Sequence, residues 1–404
     1  METRERLLSG GRHGATISPG KGAQSSLIQY MTGELKPKMP PNGAVDLERI
    51  GVIRRWIDEG AKVDSMVVPA SVSGGKSFAR LPLAAQPSVI QAAPVTALAF
   101  SPDGSQLAVG GYRAVRMIDP VTGALMRTVP GPADQVQSLA WSSDGKYLAA
   151  AGGVPGKSGE ILLVETQTWK PIRALTGHTE VVDAVAWKPG SMELASGSLD
   201  KTVRIWDASS GNPLRTLKDH GDPVFCVTYS PDGKLLATCS GDRTCKLFDT
   251  ASWKRTDTLS AHQDAVMHAA FNKDGSLLAT VGADKQMKMW KVTPGKIENP
   301  LRNQGEGETI NSCAFSPDGS LFVWGASNSV VKLFNGDGSS QRRELKDARD
   351  WVYCVAVRND NDTIAAGTQE GKVYLWSAKD GKLKLAVMLL PAGAKVETTL
   401  EMRK

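Results

Sequence analysis

The chain has 404 residues, 41% hydrophobic and 22% charged, which is enough apolar material for a sizeable core and excludes wholesale disorder. Lys and Arg total 48 against 42 Asp and Glu, and a net charge of +6 over this length is too thin an excess to argue for nucleic acid or acidic lipid as partner. No apolar run approaches the roughly 20 residues a membrane-spanning helix needs, and 41 glycines amid strand–turn patterning argue against a helix-rich architecture.

The leader, residues 1–66, does not share the pattern of the rest of the chain. A short helix is predicted from Ser26 to Met31, stopped by Gly33. Asp46 can cap a second helix over Leu47–Glu59, with Leu47, Ile50, Ile53, Trp56 and Ile57 on one face and Gly60 as its stop. Between them runs KPKMPPNG, a proline-held loop carrying the thioether of Met39. The first residues, METRERLLSGGRHG, hold no apolar stretch of signal-peptide length. Residues 67–92 are rich in Pro, Ala, Ser and Gly and read as a linker, ending in a possible clasp strand at Ser88–Gln91.

From residue 93 to about 390 a single unit recurs seven times. Its copies begin VTALAFSPDGSQLAVGG, VQSLAWSSDGKYLAAAGG, VDAVAWKPGSMELASGS, VFCVTYSPDGKLLATCS, VMHAAFNKDGSLLATVG, INSCAFSPDGSLFVWGA and VYCVAVRNDNDTIAAGT. Aligned on the last residue of the first strand they register at Phe100, Trp141, Trp187, Tyr229, Phe271, Phe315 and Val357, at intervals of 41, 46, 42, 42, 44 and 42 residues. Alternating strands joined by Asp-Gly turns read as antiparallel hairpins. One unit cannot bury both faces of its sheet, so the copies must pack on one another.

Copies 3, 4 and 5 share a further constellation. His178, His220 and His262 each stand 22 residues before Asp200, Asp242 and Asp284. Ser196, Thr238 and Thr280 each lie four residues before that Asp, and Trp206, Phe248 and Trp290 six after it. His, Ser and Asp are the residue types of a nucleophilic triad, but one active site does not require the set three times at one spacing. Five cysteines (Cys226, Cys239, Cys245, Cys313 and Cys354) form no C-x-x-C pair, fall in predicted strands, and read as compact packing residues rather than a metal or redox site. Copy 2 carries an insertion at Ala151–Glu160. Lys201, Arg243 and Lys285 follow the turn aspartates of copies 3–5, and with Lys157 they form a candidate partner face for an acidic protein surface. Arg204, Lys246, Lys288 and Lys332 fall inside strands and read as structural. No acidic pair or phosphate-binding glycine loop stands out.

The unit resembles the WD-repeat β-propeller family, whose endings match VRIWD, CKLFD, MKMWK, VKLFN and VYLWS. The resemblance implies an all-β ring of seven four-stranded blades. It also implies that His178, Ser196, Asp200 and Trp206, with the sets His220, Thr238, Asp242 and His262, Thr280, Asp284, Trp290, are buried hydrogen-bond networks. Phe248 has no N–H to donate, so the network of copy 4 is expected to be one bond short. Closing the ring needs an outer strand for the last blade; the N-terminal segment near Ser88–Gln91 is favoured over Leu383–Leu390. Residues 391–404 read as a tail.

The leader resembles the C-terminal half of planctomycete-type cytochrome c domains, on Met39, Pro40, Pro41, Trp56, Ile57, Gly60 and Ala61. That resemblance implies Met39 as an axial haem ligand and an extracytoplasmic home. Attachment of haem c needs C-x-x-C-H, and the sequence contains none, so the chain as written binds no haem and the missing half is expected upstream of Met1. The function expected from both resemblances is a non-enzymatic, protein-binding scaffold, with haem-dependent electron transfer as the alternative.

Overall fold

The structure is a computed structural model that describes residue 18, residues 21–32, 50, 53–54, 57–58, 92–293, 296–297 and 300–388. The chain divides into two compact units, Met1–Gln86 and Pro87–Lys404. In the first, helix Ser26–Thr32 starts from Ser25, whose Oγ accepts the Ser18 N–H at 2.8 Å and whose carbonyl takes the first helical amides. Ile50, Ile53, Arg54, Ile57 and Asp58 are also helical, within the second predicted helix. Ile28, Ile50 and Ile57 are buried together, with Leu27, Met31 and Ile53 against them. Met39 and Trp56 lie outside the described residues.

The second unit is built from antiparallel strands, and its first strands end where the repeat registers, at Phe100, Trp141, Trp187, Tyr229, Phe271, Phe315 and Val357. Copies 3, 4, 6 and 7 pair four strands in chain order: copy 4, for example, runs Val224–Tyr229, Leu235–Ser240, Cys245–Asp249 and Arg255–Leu259, whereas in copy 5 the third strand, Gln286–Thr293, pairs with both Lys296–Ile297 and Arg302–Gly305. The tight first turn follows from the Pro-Asp-Gly chemistry. At Ser230–Gly233, Asp232 accepts the Ser230 hydroxyl and the Lys234 amide, and Gly233 takes φ +69°, a left-handed conformation that costs glycine nothing. Copy 7 puts Asn361 there at φ +55°, and asparagine is the side chain that best tolerates it.

The repeat predicts seven separate sheets; the strands form six. Copies 1 and 2 share one six-stranded sheet because a single strand, Leu125–Trp141, pairs with Leu107–Ile118 through its first half (Val115 opposite Val129) and with Tyr147–Val154 through its second (Leu139 opposite Ala150). Gly131 sits at the crossing, where a Cβ would stand 2.8 Å from the Ala114 nitrogen, so the backbone passes too close for any other residue. The insertion of copy 2 lengthens a hairpin instead of making a loose loop, with Gly152, Gly153 and Val154 paired to Glu160, Gly159 and Ser158.

The first strands of all seven copies line one central cavity of about 820 Å³. They are stitched to one another: the Trp141 and Trp187 indoles donate to the Ala99 and Ala140 carbonyls of the preceding copy, and Ser138 accepts the Val185 amide of the next. Apolar clusters fill each gap between copies, and the ring is closed by Val95, Leu107, Val109 and Ile118 packed on Val373, Leu375, Leu385 and Val387.

The closing strand corrects a second expectation. Leu383–Met388 pairs with Lys372–Ser377 and is the outer strand of the last sheet; the favoured segment Ser88–Gln91 lies outside the described residues. Leu385 and Val387 belong to the closing cluster, and burying this apolar run is the physical reason for its choice.

Candidate functional site: polar networks and a charged rim

The residues singled out in copies 3–5 converge. His178 Nδ1 is 2.8 Å from Asp200 Oδ2 and its Nε2 2.8 Å from Ser196 Oγ, which also accepts the Trp206 indole at 2.8 Å. His262 repeats this with Asp284 at 3.0 Å and Thr280 at 2.8 Å, the Trp290 indole reaching Thr280 at 2.9 Å. His220 pairs with Asp242 and Thr238, both at 2.8 Å. Phe248 adds no bond there, while the Lys246 ammonium reaches the Asp219 carbonyl and the Asp242 carboxylate.

Each aspartate also accepts backbone N–H groups from two turns, as Asp200 does from Thr179 and Thr202, so the network ties the loop before the first strand to the turn after the second. Burial holds the His220 and His262 rings below the usual histidine range, outweighing the carboxylates beside them. Burial also opposes charge on Asp200 and Asp242, but hydrogen bonds outweigh it and hold both carboxyls well below the usual range: from His178 and Thr202 at Asp200, from Thr244 and His220 at Asp242. The Ser196 hydroxyl has no exposed surface and is already engaged by His178 and Trp206, so no substrate could reach it as it would a triad serine.

Copy 6 fills the same place with other chemistry. Glu306 stands 22 residues before Asn328, accepts its amide at 3.1 Å, and meets the Lys332 ammonium at 2.6 Å. Trp324 takes the hydroxyl position and packs on Phe334, ring centres 4.3 Å apart. In copy 7 the Trp376 indole donates directly to Asp347 at 2.8 Å. The histidine pattern anticipates neither substitution, although the 22-residue spacing to Glu306 is present in the sequence.

The basic residues lie on turns between second and third strands. Lys201, Arg243 and Lys285 adopt φ +71°, +69° and +65°, and Arg113, inside the strand Leu107–Ile118 of copy 1, adopts +54°. A left-handed non-glycine residue costs about 1 kcal/mol. At two positions the side chain offsets that cost by latching onto the next copy. Lys201 Nζ donates to Gly221 O at 2.7 Å and meets Asp222 at 3.2 Å; Lys285 Nζ donates to Gly307 O at 2.9 Å and meets Glu308 at 3.6 Å. Arg243 and Lys157 are exposed, Lys157 at the tip of the lengthened hairpin, where Glu180 accepts the Gly156 amide.

Those acidic partners belong to a second register. Asp134, Glu180, Asp222, Asp264, Glu308 and Asp350 all stand seven residues before the end of a first strand, one in each of copies 2–7. The second-strand turns bond to these same loops, Leu199 N to Val181 O and Gly241 N to Pro223 O, so acids and bases share one end of the ring. Trp351 and Tyr112 are exposed at the same end, in copies 7 and 1. Among the described residues, no three His, Cys, Asp or Glu side chains converge to hold a metal, and no helix is long and apolar enough to cross a membrane.

Residues 88–119, 123–159 and 169–207 match the family model of the WD domain, G-beta repeat. Residues 204–385 match that of the IFT122 first beta-propeller. The chain carries WD repeats and folds them into a β-propeller. Neither match takes in the leader. Related curated proteins include the cell division cycle 20.1 cofactor of the APC complex of Arabidopsis thaliana (34% identical over 29% of this chain), a WD repeat-containing protein of Synechocystis (32%, over 29%), and the target of rapamycin complex subunit wat1 of Schizosaccharomyces pombe (34%, over 27%). The chain spans 25%, 33% and 34% of these proteins. Within the propeller, the histidine networks sit inside the wall and the charged residues on its rim, so what a partner could touch is the rim.

Proposed function

We propose that this chain is a non-enzymatic protein-interaction scaffold whose contact face is the end of the propeller carrying the acidic and basic registers. One observation carries the reading: the side chains with catalytic chemistry are buried in structural networks, whereas this end presents charge of both signs with Trp351 and Tyr112 beside it. Aromatic and arginine side chains are the usual energetic anchors of protein interfaces, and a mixed charge pattern fixes partner and register more than affinity. The related proteins named as a cofactor and a complex subunit support an assembly role in general terms. The test is covalent cross-linking in the source cells with the wild type, a Trp351→Ala/Arg243→Glu variant, and an opposite-end variant, Lys146→Glu/Lys234→Glu. A partner cross-linked by the wild type and the opposite-end variant but lost from the first supports the reading; equal cross-linking by all three refutes this face.

A further inference from the structure

The cysteines that the sequence pattern assigns to packing are brought together by register. Cys226 on the first strand of copy 4 is directly opposite Cys239 on the second, which is directly opposite Cys245 on the third. Directly opposed residues share one face of a sheet, so the three thiols form a row running outward from the cavity wall. All are free and buried, and Cys226 lines the cavity. The Ala269 amide of copy 5 donates to Cys226 Sγ at 3.4 Å. Next to it, His268 lies 3.7 Å from Cys313 Sγ. The row is not a packing requirement of the fold: copy 3 carries Ala184, Gly197 and Val203 at these places, and copy 5 carries His268, Val281 and Met287.

We propose that Cys226 and Cys239 are a peroxide-sensitive dithiol that closes to a disulfide across the first two strands of copy 4. Opposed residues of an antiparallel pair have Cα atoms about 4.5 or 5.5 Å apart, and both spacings fall inside the range of roughly 4.4–6.8 Å that a disulfide spans. The two thiols are also unlike each other. The Cys239 thiol hydrogen-bonds Cys226, and with the His268 imidazole nearby this holds Cys226 low against the opposing effect of burial. Burial, then the neighbouring Cys226 and Cys245, holds Cys239 well above its usual value. Cys226 lines the cavity and Cys239 stands one strand further out, so Cys226 is the thiol a peroxide meets first and Cys239 the resolving thiol. No three donors converge for a metal among the described residues, so a row of this kind favours sulfur–sulfur chemistry over metal binding.

The oxidant is a hydroperoxide, and hydrogen peroxide is small enough to use the cavity. The Cys226 thiolate attacks one peroxide oxygen; an S–O bond forms, the O–O bond breaks, and the departing hydroxide takes a proton to become water. Cys239 sulfur then attacks Cys226 sulfur. The S–S bond forms, the S–O bond breaks, and the hydroxyl leaves with the Cys239 proton as water. Two electrons pass from the thiol pair to the peroxide.

The experiment treats the full folded chain with hydrogen peroxide, alkylates remaining thiols, digests with trypsin and maps peptides by mass. Cleavage at Lys234 and Arg243 puts the three cysteines on separate peptides. The expected result is a linked Cys226–Cys239 pair, two hydrogens lighter than its parts, released by dithiothreitol. The link is lost in Cys226→Ala and Cys239→Ala and kept in Cys245→Ala and Cys313→Ala. Cys226→Ala installs the residue copy 3 already carries there, and its fold is checked by circular dichroism. Absence of the link in folded wild type overturns the proposal, as does a link that forms only in denaturant, or Cys226 passing to sulfinic acid with Cys239 still alkylatable.

Discussion

Copies 3–5 and copy 6 solve one packing problem in two ways. At the junction of loop, second strand and turn, copies 3 and 5 place a chain of four polar groups, indole to hydroxyl to imidazole to carboxylate. Copy 6 puts an ion pair and a tilted pair of aromatic rings in the same space. Copy 4 stands between, with Phe248 for the indole and a lysine reaching the carboxylate. The junction therefore demands filled volume and not one set of residues, and the copy 6 version leaves the Trp324 indole nitrogen and the Asn328 Oδ1 buried without a hydrogen-bond partner. The histidine version carries an imidazole, which titrates at higher pH than the Glu306 carboxyl of copy 6; burial raises that carboxyl, and the Lys332 ammonium and nearby hydrogen bonds hold it low.

Acid should separate the two most. An unfolded histidine gains its proton near about pH 6.5, and folded His220 and His262 resist it. In that window the unfolded chain binds more protons, so this contribution is full above about pH 6.5 and lost as pH falls. Asp200 and Asp242 add a second step in the same direction: held low when folded, they stabilise above about pH 4 and that stability is lost as pH drops further. Urea midpoints measured from pH 7.5 down should fall in both windows, with hydrogen exchange rising in copies 3–5 before copy 6. Uniform loss across the ring would break the comparison.

Single substitutions come next. Asp200→Ala leaves His178 and two turn amides without their acceptor and should cost about 3 kcal/mol. Asn328→Ala at the matching place in copy 6 removes one amide bond to Glu306 and should cost about 1 kcal/mol. Equal shifts in the denaturation midpoint would show the networks to be interchangeable in energy as well as in position. Trp290→Phe, which makes copy 5 resemble copy 4, removes one indole hydrogen bond and should likewise cost about 1 kcal/mol in thermal unfolding.

Much of the ring is legible in one sequence because a repeat states its pattern seven times. The last residues of the first strands, the Asp-Gly turns and the 22-residue interval between His and Asp all show through. The acidic register before the first strands is equally periodic yet easily missed, since exposed or half-buried acids carry no packing signal that draws notice. The sequence pattern offers Lys201 and Lys285 as partner contacts. Their geometry shows them first as latches to the neighbouring copy, because a turn lysine can reach an adjacent loop that lies some 20 residues away in the chain.

Local chemistry by itself determined the strands, their turns and the makeup of each hydrogen-bonded set, since these depend on side-chain alternation and on spacing inside one unit. Only the assembled ring decided that two copies share a sheet and that Leu383–Met388 closes the circle, while strand register inside copy 4 put Cys226, Cys239 and Cys245 in a row. The first two turn on which edge is left unpaired and which apolar run gains most by burial, the third on which residues face each other across strands. None of these is settled until the neighbours are in place.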